Sequence, residues 1–584
     1  MSKPTISAAI NTYNEERDLP FALRSIASWV DEIIVVDMHS TDRTREIAKE
    51  FGAKVFLHEN VGFADPARAF ALSKCKGEWI LILDADEMIP KPLSDWLLNA
   101  AENNRGDVFR MARENYFFGE VMRYTRTGPT TDRHMRFFRR DCIELTDRIH
   151  SFLHPIPNAR IVDVPYEEGK AIVHFCYTDI SELLERMNRY TTIEAEQAIE
   201  KGAKPRTSLR RALLAFWRYY IRGRGYKDGW RGFYYSLLVG FYHLAIAAKM
   251  QERKAVGTRD AVIEKYQAEA EKILSAYEND RPKENTKRKI SVAINTYNEE
   301  KNLPYALRSV KSWADEIIVV DMHSTDRTRE IAESFGARVF LHEYLGFADP
   351  ARAFAISKCS GDWILILDAD EVVPEPLSKK LKALAESSNA DVINIPMENY
   401  LFGEIVKFTS SGAGRIWHPR FFRVGSMQTS DRLHQFLHIA EGAGIMNLPY
   451  RSGEAIVHFA YANISELIDK INRYTSIEAA QETKSKTSPF RAIRRAMRIF
   501  WRNYILGKGW KGGWREFYYS AFLMMYEITA MAKLKERQTV GSSEEVINLY
   551  QNKAKKILLD YTLQSIEERG GFSHETQVNP TASS

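Results

Sequence analysis

The chain repeats itself once, over almost its whole length. The segment AINTYNEERDLPFALRS begins at Ala9 and AINTYNEEKNLPYALRS begins at Ala293, an offset of 293 − 9 = 284 residues. The same offset relates Asp37 to Asp321 and Trp217 to Trp501. A period this long belongs to a whole domain rather than to a short stacked repeat. The sequence of 584 residues therefore predicts two copies of one domain, joined head to tail.

Composition along each copy predicts the domain boundaries. Each copy begins with strand-like and helix-like segments and ends with a helical segment rich in basic and aromatic residues, and a polar stretch with a proline separates the copies. The predicted boundaries are an α/β domain at 1–200, a helical segment at 201–278, a linker at 279–289, a second α/β domain at 290–484, a second helical segment at 485–566 and a flexible tail at 567–584.

The balance of residue types is that of a folded protein, with 45% hydrophobic and 27% charged residues. Four cysteines lack the spacing of a metal site or a disulfide framework, so we expect reduced thiols in a cytoplasmic protein. The N-terminus has no apolar core of a signal peptide. The longest apolar stretch, from Ser236 to Ala248, is shorter than the about 20 residues that a membrane-spanning helix requires.

Short apolar runs alternate with helical stretches in each copy. This alternation predicts a parallel sheet with helices on both faces, and ligands bind such sheets beyond the carboxyl ends of the strands. The polar residues that fall at those ends in the first copy are Asn11 to Asn14, Asp37, and Asp84 to Asp86. The sequence therefore predicts a site at this edge of the sheet.

Asp84 and Asp86 follow an apolar strand, as do Asp368 and Asp370 in the second copy. Two carboxylates in such a place are costly unless a cation or hydrogen-bond donors compensate them. Oxygen ligands favour Mg²⁺ or Mn²⁺, which bridge phosphates and stabilise a departing nucleoside diphosphate. For an isolated Asp-x-Asp the alternative is a role in a turn or a helix cap.

Taken together, four motifs of the first copy resemble the family 2 glycosyltransferases with the GT-A fold. They are NTYNEE, IIVVDMHSTDRT, GFADPARAFALSKCKGEWILILDADE and HMRFFRR. The resemblance covers the first two thirds of each half and is strongest to bacterial enzymes that build the lipopolysaccharide core and related surface glycans. It implies two tandem GT-A domains, Rossmann-like with a mostly parallel sheet, that use nucleotide-diphosphate sugars, Mg²⁺ or Mn²⁺, and a glycan or glycolipid acceptor.

The resemblance also implies residue roles. Donor binding is expected of Thr12, Tyr13, Glu15, Asp37, Arg68 and Asp84, and of Thr296, Tyr297, Glu299, Asp321, Arg352 and Asp368. The metal ligands are expected to be Asp86 and Asp370. His174 and His458 are possible further ligands, although a buried core role is the favoured interpretation of a lone histidine on an apolar strand. For Arg68 the alternative is an exposed charge on a helix.

An inverting transferase needs a base that takes the proton of the acceptor hydroxyl. Relatives are expected to carry it in a Val-His-Glu motif, but both copies lack that glutamate. We therefore expect Asp147 and Asp431 to act as the base, with His150 and His434 as the next candidates. A helix cap or a salt bridge to Arg148 is the alternative role of Asp147.

Both copies also depart from the family pattern Val-Asp-Asp/Ser-Gly-Ser-Thr-Asp by carrying Met38-His39 and Met322-His323. These residues either alter the choice of donor or leave the histidine in solvent.

The copies differ most in one loop, RTGPTTDR at 126–133 against SSGAGRIW at 410–417. Because loops carry recognition, we hypothesise different acceptors or successive sugars for the two halves. The residues expected to order this loop are His134, His418, Arg136 and Arg420.

The basic and aromatic stretch from Lys201 to Arg231 suits contact with the inner face of the cell membrane, or packing on the catalytic domain. No nucleic-acid recognition module accompanies it, so we expect no nucleic-acid partner.

The sequence thus predicts a bifunctional inverting glycosyltransferase. One alternative is a single catalytic half with a nucleotide-binding or membrane-docking scaffold half. Another is a sugar nucleotidyltransferase, which would need a glycine-rich loop that NTYNEE does not supply.

Overall fold

A computed structural model of the protein describes residues 3–60, 62, 65–145, 153–205, 209–277, 287–429, 437–482 and 485–570. Most of the predicted linker lies outside these residues. The last helix runs to Gly570, so the first residues of the predicted tail are helical. The domain boundaries drawn from the sequence remain a prediction.

The first repeat alternates strands and helices before it becomes helical. Its strands are β1 (Ile6–Thr12), β2 (Glu32–Asp37), β3 (Lys54–Leu57), β4 (Trp79–Asp84), β5 (Glu87–Met88), β6 (Val108–Phe117), β7 (Glu120–Val121), β8 (Arg133–Arg139), β9 (Ile143–Leu145), β10 (Leu153–Pro155), β11 (Ile161–Asp163) and β12 (Ile172–Tyr177). Its helices are α1 (Leu19–Arg24), α2 (Thr44–Glu50), α3 (Asp65–Lys74), α4 (Lys91–Glu102), α5 (Ile180–Glu200), α6 (Leu209–Phe216), α7 (Gly229–Val256) and α8 (Arg259–Leu274).

The second repeat has the same order of elements. Its strands are β13 (Ile290–Thr296), β14 (Glu316–Asp321), β15 (Arg338–Leu341), β16 (Trp363–Asp368), β17 (Glu371–Val372), β18 (Val392–Leu401), β19 (Glu404–Ile405), β20 (Trp417–Arg423), β21 (Met427–Thr429), β22 (Leu437–Ile439), β23 (Ile445–Asn447) and β24 (Ile456–Tyr461). Its helices are α9 (Leu303–Lys311), α10 (Thr328–Ser334), α11 (Asp349–Lys358), α12 (Glu375–Ser387), α13 (Ile464–Gln481), α14 (Pro489–Phe500), α15 (Gly513–Thr539) and α16 (Ser543–Gly570).

The main sheet of the first repeat has the strand order β3-β2-β1-β4-β8-β6-β12-β5. The strands β1 to β4 pair in parallel, as the alternating pattern predicts. The next strand, β8, is antiparallel to both β4 and β6. The second repeat repeats this order. The predicted α/β fold of two tandem domains is therefore confirmed, with an antiparallel strand inserted beside the parallel half.

Strand β4 shows why the sheet is covered on both faces. Trp79, Leu81 and Leu83 pack into one apolar cluster with α1 and α4, whereas Ile80 and Ile82 pack into another with α3. Side chains alternate between the two faces of a strand, so a strand that is buried on both faces must be apolar at every position. This is the physical reason for the unbroken run WILIL.

The chain forms two compact units, and each contains helical residues from the other repeat. One unit comprises residues 1–182, 215–237 and 539–584, and the other comprises 183–214 and 238–538. In the first unit, Tyr550 of α16 donates a hydrogen bond to the carbonyl of Tyr177 at 2.8 Å. In the second unit, Tyr266 of α8 makes the equivalent bond to Tyr461 at 2.8 Å. The helix that ends each repeat thus completes the α/β domain of the other repeat.

Among the described residues, no helix combines the length and the apolar character needed to cross a membrane. The four cysteines are free thiols, in agreement with the expectation from their spacing. Burial raises the pKa of Cys75 and of Cys359 to about 12, so neither thiol ionises near neutral pH.

Candidate active site

The carboxyl ends of β1, β2 and β4 bring together Thr12, Asp37 and Asp84. The strand register places Thr12 beside Asp37 and Asn11 beside Asp84. Asp37 is fully buried and accepts a hydrogen bond from the backbone N–H of Ser40 at 3.0 Å. The parallel strands therefore gather these residues at one edge of the sheet, where the sequence predicted a site.

Asp84 is held by two guanidinium groups. Nη2 of Arg68 lies 2.5 Å from its Oδ1, and Nη2 of Arg136 lies 2.6 Å from its Oδ2. Burial opposes ionisation of this carboxyl, but Arg136 and Arg68 outweigh it and hold the pKa of Asp84 well below its usual range. Arg68 thus contacts Asp84 and is only 20% exposed, which disfavours the alternative of an exposed helix charge, and its role in donor binding stays a prediction.

The second repeat has the same arrangement around Asp368. Nη2 of Arg352 lies 2.6 Å from Asp368 Oδ2, and Nη2 of Arg420 lies 3.1 Å from it. Burial again opposes ionisation, and Arg352 and Arg420 lower the pKa of Asp368 despite it. In both repeats the first aspartate of the motif is therefore an ionised carboxylate with both oxygens paired.

A buried glutamate next to the Asp-Ala-Asp motif was not anticipated from the sequence. Glu87 has no exposed surface; it accepts a hydrogen bond from the backbone N–H of Asp84 at 3.0 Å and contacts Arg136 at 3.0 Å. In the second repeat, Arg420 lies 2.7 Å from Glu371. Arg136 and Arg420 thus organise buried carboxylates, whereas the sequence suggested that they order a loop. The signal was present in the acidic residue that directly follows the motif, in DADE.

The second aspartate of the motif faces a histidine. His174 Nδ1 lies 2.6 Å from Oδ1 of Asn115, whose amide nitrogen donates to the carbonyl of Thr127. Because that Oδ1 is an acceptor, Nδ1 carries the proton, and Nε2 faces Asp86 Oδ2 at 3.4 Å. In the second repeat the corresponding distances are 2.8 Å and 3.4 Å, for His458, Asn399 and Asp370.

This geometry tests whether a divalent cation fits. A neutral Nε2 and a carboxylate are both acceptors, so they need a shared proton or a shared cation between them. Two ligands at right angles on one ion, each at about 2.1 Å, lie about 3 Å apart, close to the observed separation. Burial lowers the pKa of His458, but the charge and the hydrogen bond of Asp370 outweigh burial and raise that pKa.

Each repeat would offer two ligands to a cation, Asp86 with His174 in the first and Asp370 with His458 in the second. Within the described part of the chain, no group of three or more His, Cys, Asp and Glu side chains could hold a metal ion. A carboxylate beside an imidazole nitrogen suits Mg²⁺ or Mn²⁺, which need only one or two protein ligands.

In the second repeat these residues line a cavity of about 600 Å³. Glu299 and Lys470 lie in its wall with Asp370. Burial, and then the charge of Asp370, raise the pKa of Glu299 to about 8, which leaves this carboxyl protonated at neutral pH. At the cavity rim, Tyr297 stacks on Tyr344, with ring centroids 4.2 Å apart. The cavity therefore joins an acidic cluster to an aromatic surface.

The two repeats differ in one wall of the site. In the first repeat, Arg113 lies 3.1 Å from Glu87 and 3.0 Å from Asp132. The equivalent positions of the second repeat hold Met397 and Ile416, which line its cavity. The backbone between β7 and β8 is where the sequence predicted divergence. Arg113, however, was not anticipated, because it lies on β6 and reaches the site only through the sheet pairing.

Two further predictions concern the catalytic base and the Met-His departure from the family pattern. The proposed bases Asp147, Asp431, His150 and His434 lie outside the described residues. His39 is exposed and has a left-handed backbone, with φ 62°, at the position where the family pattern has glycine. A positive φ favours glycine, which explains the family residue, and the exposed ring favours the solvent interpretation.

Comparison with known proteins gives one family for both repeats. The sequence model of Glycosyl transferase family 2 matches residues 7–153 and 291–436. An uncharacterized glycosyltransferase of Rickettsia bellii is 30% identical over 264 residues, which are 43% of this chain and 87% of the relative. The lipopolysaccharide core biosynthesis glycosyltransferase LpsC of Rhizobium meliloti is 29% identical over 271 residues, which are 44% of this chain and 97% of the relative.

Among solved structures, residues 1–349 of S. aureus TarS match 42% of this chain and 89% of that chain, at 14% identity and a TM-score of 0.24. The two regions matched by the family model begin in β1 and β13 and contain both Asp-Ala-Asp motifs. The chain therefore belongs to Glycosyl transferase family 2, whose domain it carries twice.

Proposed function

We propose that both halves are inverting glycosyltransferases, which makes the chain bifunctional. Each half moves a sugar from a nucleotide-diphosphate donor to a glycan or glycolipid acceptor. The observation that supports this most is the arrangement found in both repeats: an arginine-paired aspartate beside a second aspartate that faces Nε2 of a histidine.

The donor in this proposal lies along the carboxyl edge of the parallel strands. In the first half its nucleoside contacts Thr12, Tyr13, Glu15, Asp37 and Asp84, with Arg68 fixing Asp84. In the second half the same roles belong to Thr296, Tyr297, Glu299, Asp321, Asp368 and Arg352. The exposed ring of Tyr13 offers a face on which a base can stack.

A divalent cation, Mg²⁺ or Mn²⁺, would be held by Asp86 with His174 and by Asp370 with His458. When bound, it neutralises charge on the departing diphosphate. Asn115 and Asn399 fix the histidine tautomer that presents Nε2 to this place. Arg136 and Arg420 keep Asp84 and Asp368 ionised and oriented, so these two carboxylates need not reorganise when the donor binds.

In the transfer step the acceptor hydroxyl oxygen bonds to the anomeric carbon while the bond from that carbon to the diphosphate oxygen breaks. The hydroxyl proton passes to a base, which we assign to Asp147 and Asp431, with His150 and His434 as the alternatives. Asp147→Asn should lower kcat by orders of magnitude with little change in donor affinity. The matched control is Asp141→Asn, an exposed aspartate nearby. Near-normal kcat in Asp147→Asn would move the base elsewhere.

For the acceptor we propose a lipid-linked lipopolysaccharide or surface glycan at the cytoplasmic face of the membrane, with the protein in peripheral contact. The support is the relationship to LpsC, which is named for lipopolysaccharide core biosynthesis. The test is transfer of labelled sugar from a panel of nucleotide sugars to a lipid extract, with Mn²⁺ or Mg²⁺ and with a chelator. We expect label in the lipid fraction that disappears with the chelator. Transfer that survives metal removal would contradict the cation role, and no transfer from any donor would contradict the proposed function.

A further inference from the structure

Helix α14 and the turns after it expose an apolar stripe to solvent. Phe490 is 77% exposed, Met497 50% and Trp501 56%. With Ile493 and Ile505 they recur at spacings of three and four residues, so they lie along one side of the helix. We call this row the apolar stripe. A continuous exposed row of large apolar side chains marks an interaction site rather than ordinary surface.

The opposite side of the helix is packed and accounts for its position. Ala492, Ala496 and Asn503 are buried, and the small alanines let the helix lie close to its neighbours. Arg495 Nε donates to Glu527 of α15 at 2.6 Å. The helix is therefore anchored through one face, and its apolar stripe stays free for a partner.

A row of positive charge runs beside the stripe. Arg494, Arg498 and Arg502 are exposed, and among the described residues none of the three forms an ion pair. Residues 485–515 contain nine lysines and arginines and no aspartate or glutamate. The partner of this surface is therefore both apolar and anionic.

The first repeat has large apolar residues at the equivalent positions of its sequence. Leu213 is 60% exposed and Trp217 48%, and Leu209 and Ile221 stand at the same spacing before and after them. These positions correspond to Met497, Trp501, Ile493 and Ile505 of the second repeat. A duplication explains identical residues without any function. It does not explain two exposed positions that changed from one large apolar residue to another and stayed apolar.

We propose that this surface docks the protein on an anionic lipid bilayer. The apolar stripe enters the boundary between headgroups and acyl chains, and the arginines bind lipid phosphates. Tryptophan favours this boundary. A protein partner is the poorer alternative, because it would have to present acidic side chains along the whole of a segment with nine lysines and arginines and no acidic residue, whereas an anionic bilayer offers phosphates over its entire surface.

The surface is joined to the proposed transferase site. The backbone N–H of Ser410 donates to Asn503 Oδ1 at 2.8 Å, and Arg415 donates to the carbonyl of Gly507 at 2.8 Å. Ser411, which follows Ser410 in the chain, lines the cavity. The loop that borders the cavity is thus hydrogen-bonded to the turns that follow α14. A lipid-linked acceptor would then meet the cavity close to the bilayer, a use that rests on the proposed function.

The experiment is co-sedimentation of the full chain with vesicles of phosphatidylcholine alone or with added phosphatidylglycerol. We expect at least tenfold tighter binding to the anionic vesicles, weakened by salt. The triple variant Phe490→Ser, Met497→Ser, Trp501→Ser should lose at least tenfold in binding. Arg494→Glu with Arg498→Glu should remove the preference for phosphatidylglycerol. The control is Val424→Ser, which removes an equally exposed apolar side chain from a turn of the second repeat.

The outcomes separate docking from the proposed reaction. All substituted side chains are exposed, and a thermal melt will confirm that the variants fold. Wild type that does not bind anionic vesicles, or a triple variant that binds like wild type, overturns the proposal. So does a triple variant whose only change is in oligomeric state, because the stripe would then be an interface between copies. Vesicle binding without any sugar transfer would instead reject the proposed function and leave the docking surface standing.

Discussion

The two repeats share one half of their sites and differ in the other half. Both keep the paired aspartate, the buried glutamate and the histidine that faces the second aspartate. Beside this cluster the first repeat places the ion pair of Arg113 and Asp132, whereas the second places Met397 and Ile416. The shared part is what two transferases with related donors would both need. The differing wall is where we expect the acceptors to differ.

A second difference lies at the rim. Tyr297 stacks on Tyr344 in the second repeat, but the residue equivalent to Tyr344 in the first repeat is Asn60. Asn60 instead accepts a hydrogen bond from the backbone N–H of Gly62 at 2.9 Å. The second repeat therefore has two aromatic rings at the place where we propose that a nucleoside base stacks, and the first has one.

The largest expected effect concerns the buried glutamates. Replacing Arg420 by Met should lower the unfolding free energy of the second unit by about 3 kcal/mol, which is the lower end of the range for breaking a buried ion pair. We expect the lower end because burial already raises the pKa of Glu371, so this carboxyl can take a proton when its partner is removed. Arg136→Met should cost the first unit less, because Arg113 still contacts Glu87. The measurement is guanidinium-induced unfolding of the full chain. If the two replacements lowered the free energy of unfolding equally, Arg113 would not be stabilising Glu87.

An exchange of the differing wall should change acceptor preference. Arg113→Met with Asp132→Ile in the first half, and Met397→Arg with Ile416→Asp in the second, should each shift the ratio of kcat/KM between acceptors by about 10- to 100-fold, or about 1.4–2.8 kcal/mol. The matched control is Arg110→Met with Asp163→Ile, which removes an exposed ion pair between β6 and its neighbour β11. An unchanged ratio would show that the wall does not contact the acceptor.

The smallest expected effect is at the rim. Tyr344→Asn should weaken nucleotide binding to the second half by about tenfold, because stacking of a base on an aromatic ring contributes about 1–3 kcal/mol. Asn60→Tyr should strengthen binding to the first half. Calorimetry with a panel of nucleoside diphosphates measures both, and Tyr344→Phe is the control that keeps the ring. Unchanged affinity in Tyr344→Asn would mean that Tyr344 does not meet the base.

Much of the fold was predictable because it follows from local patterns. The run WILIL and the alternation of strands with helices indicate a doubly covered parallel sheet, and the strand ends locate Asp37, Asp84 and Asp86. The repeat itself fixes the number of domains. These features need only the periodicity of side chains along a strand and the residues that end it.

The buried network was not predictable for a geometric reason. Glu87 and Arg113 lie on β5 and β6, which reach the site only because β8 inserts antiparallel beside β4. His174, a candidate from the sequence, joins them from β12. No spacing in the sequence encodes that order. The sequence also did not predict that α8 packs on the second α/β domain and α16 on the first. A repeat shows that both helices exist, but it does not show which domain each one covers.

The most direct test of the account is donor turnover by wild type, Asp86→Ala, Asp370→Ala and the double variant, across a panel of nucleotide sugars with Mn²⁺ or Mg²⁺. If both halves are cation-dependent transferases, each single variant loses the turnover of its own half by at least about a thousandfold, and the double variant has none. A single variant with undiminished turnover for every donor would make that half a scaffold. Turnover in the double variant would contradict the cation site in both halves.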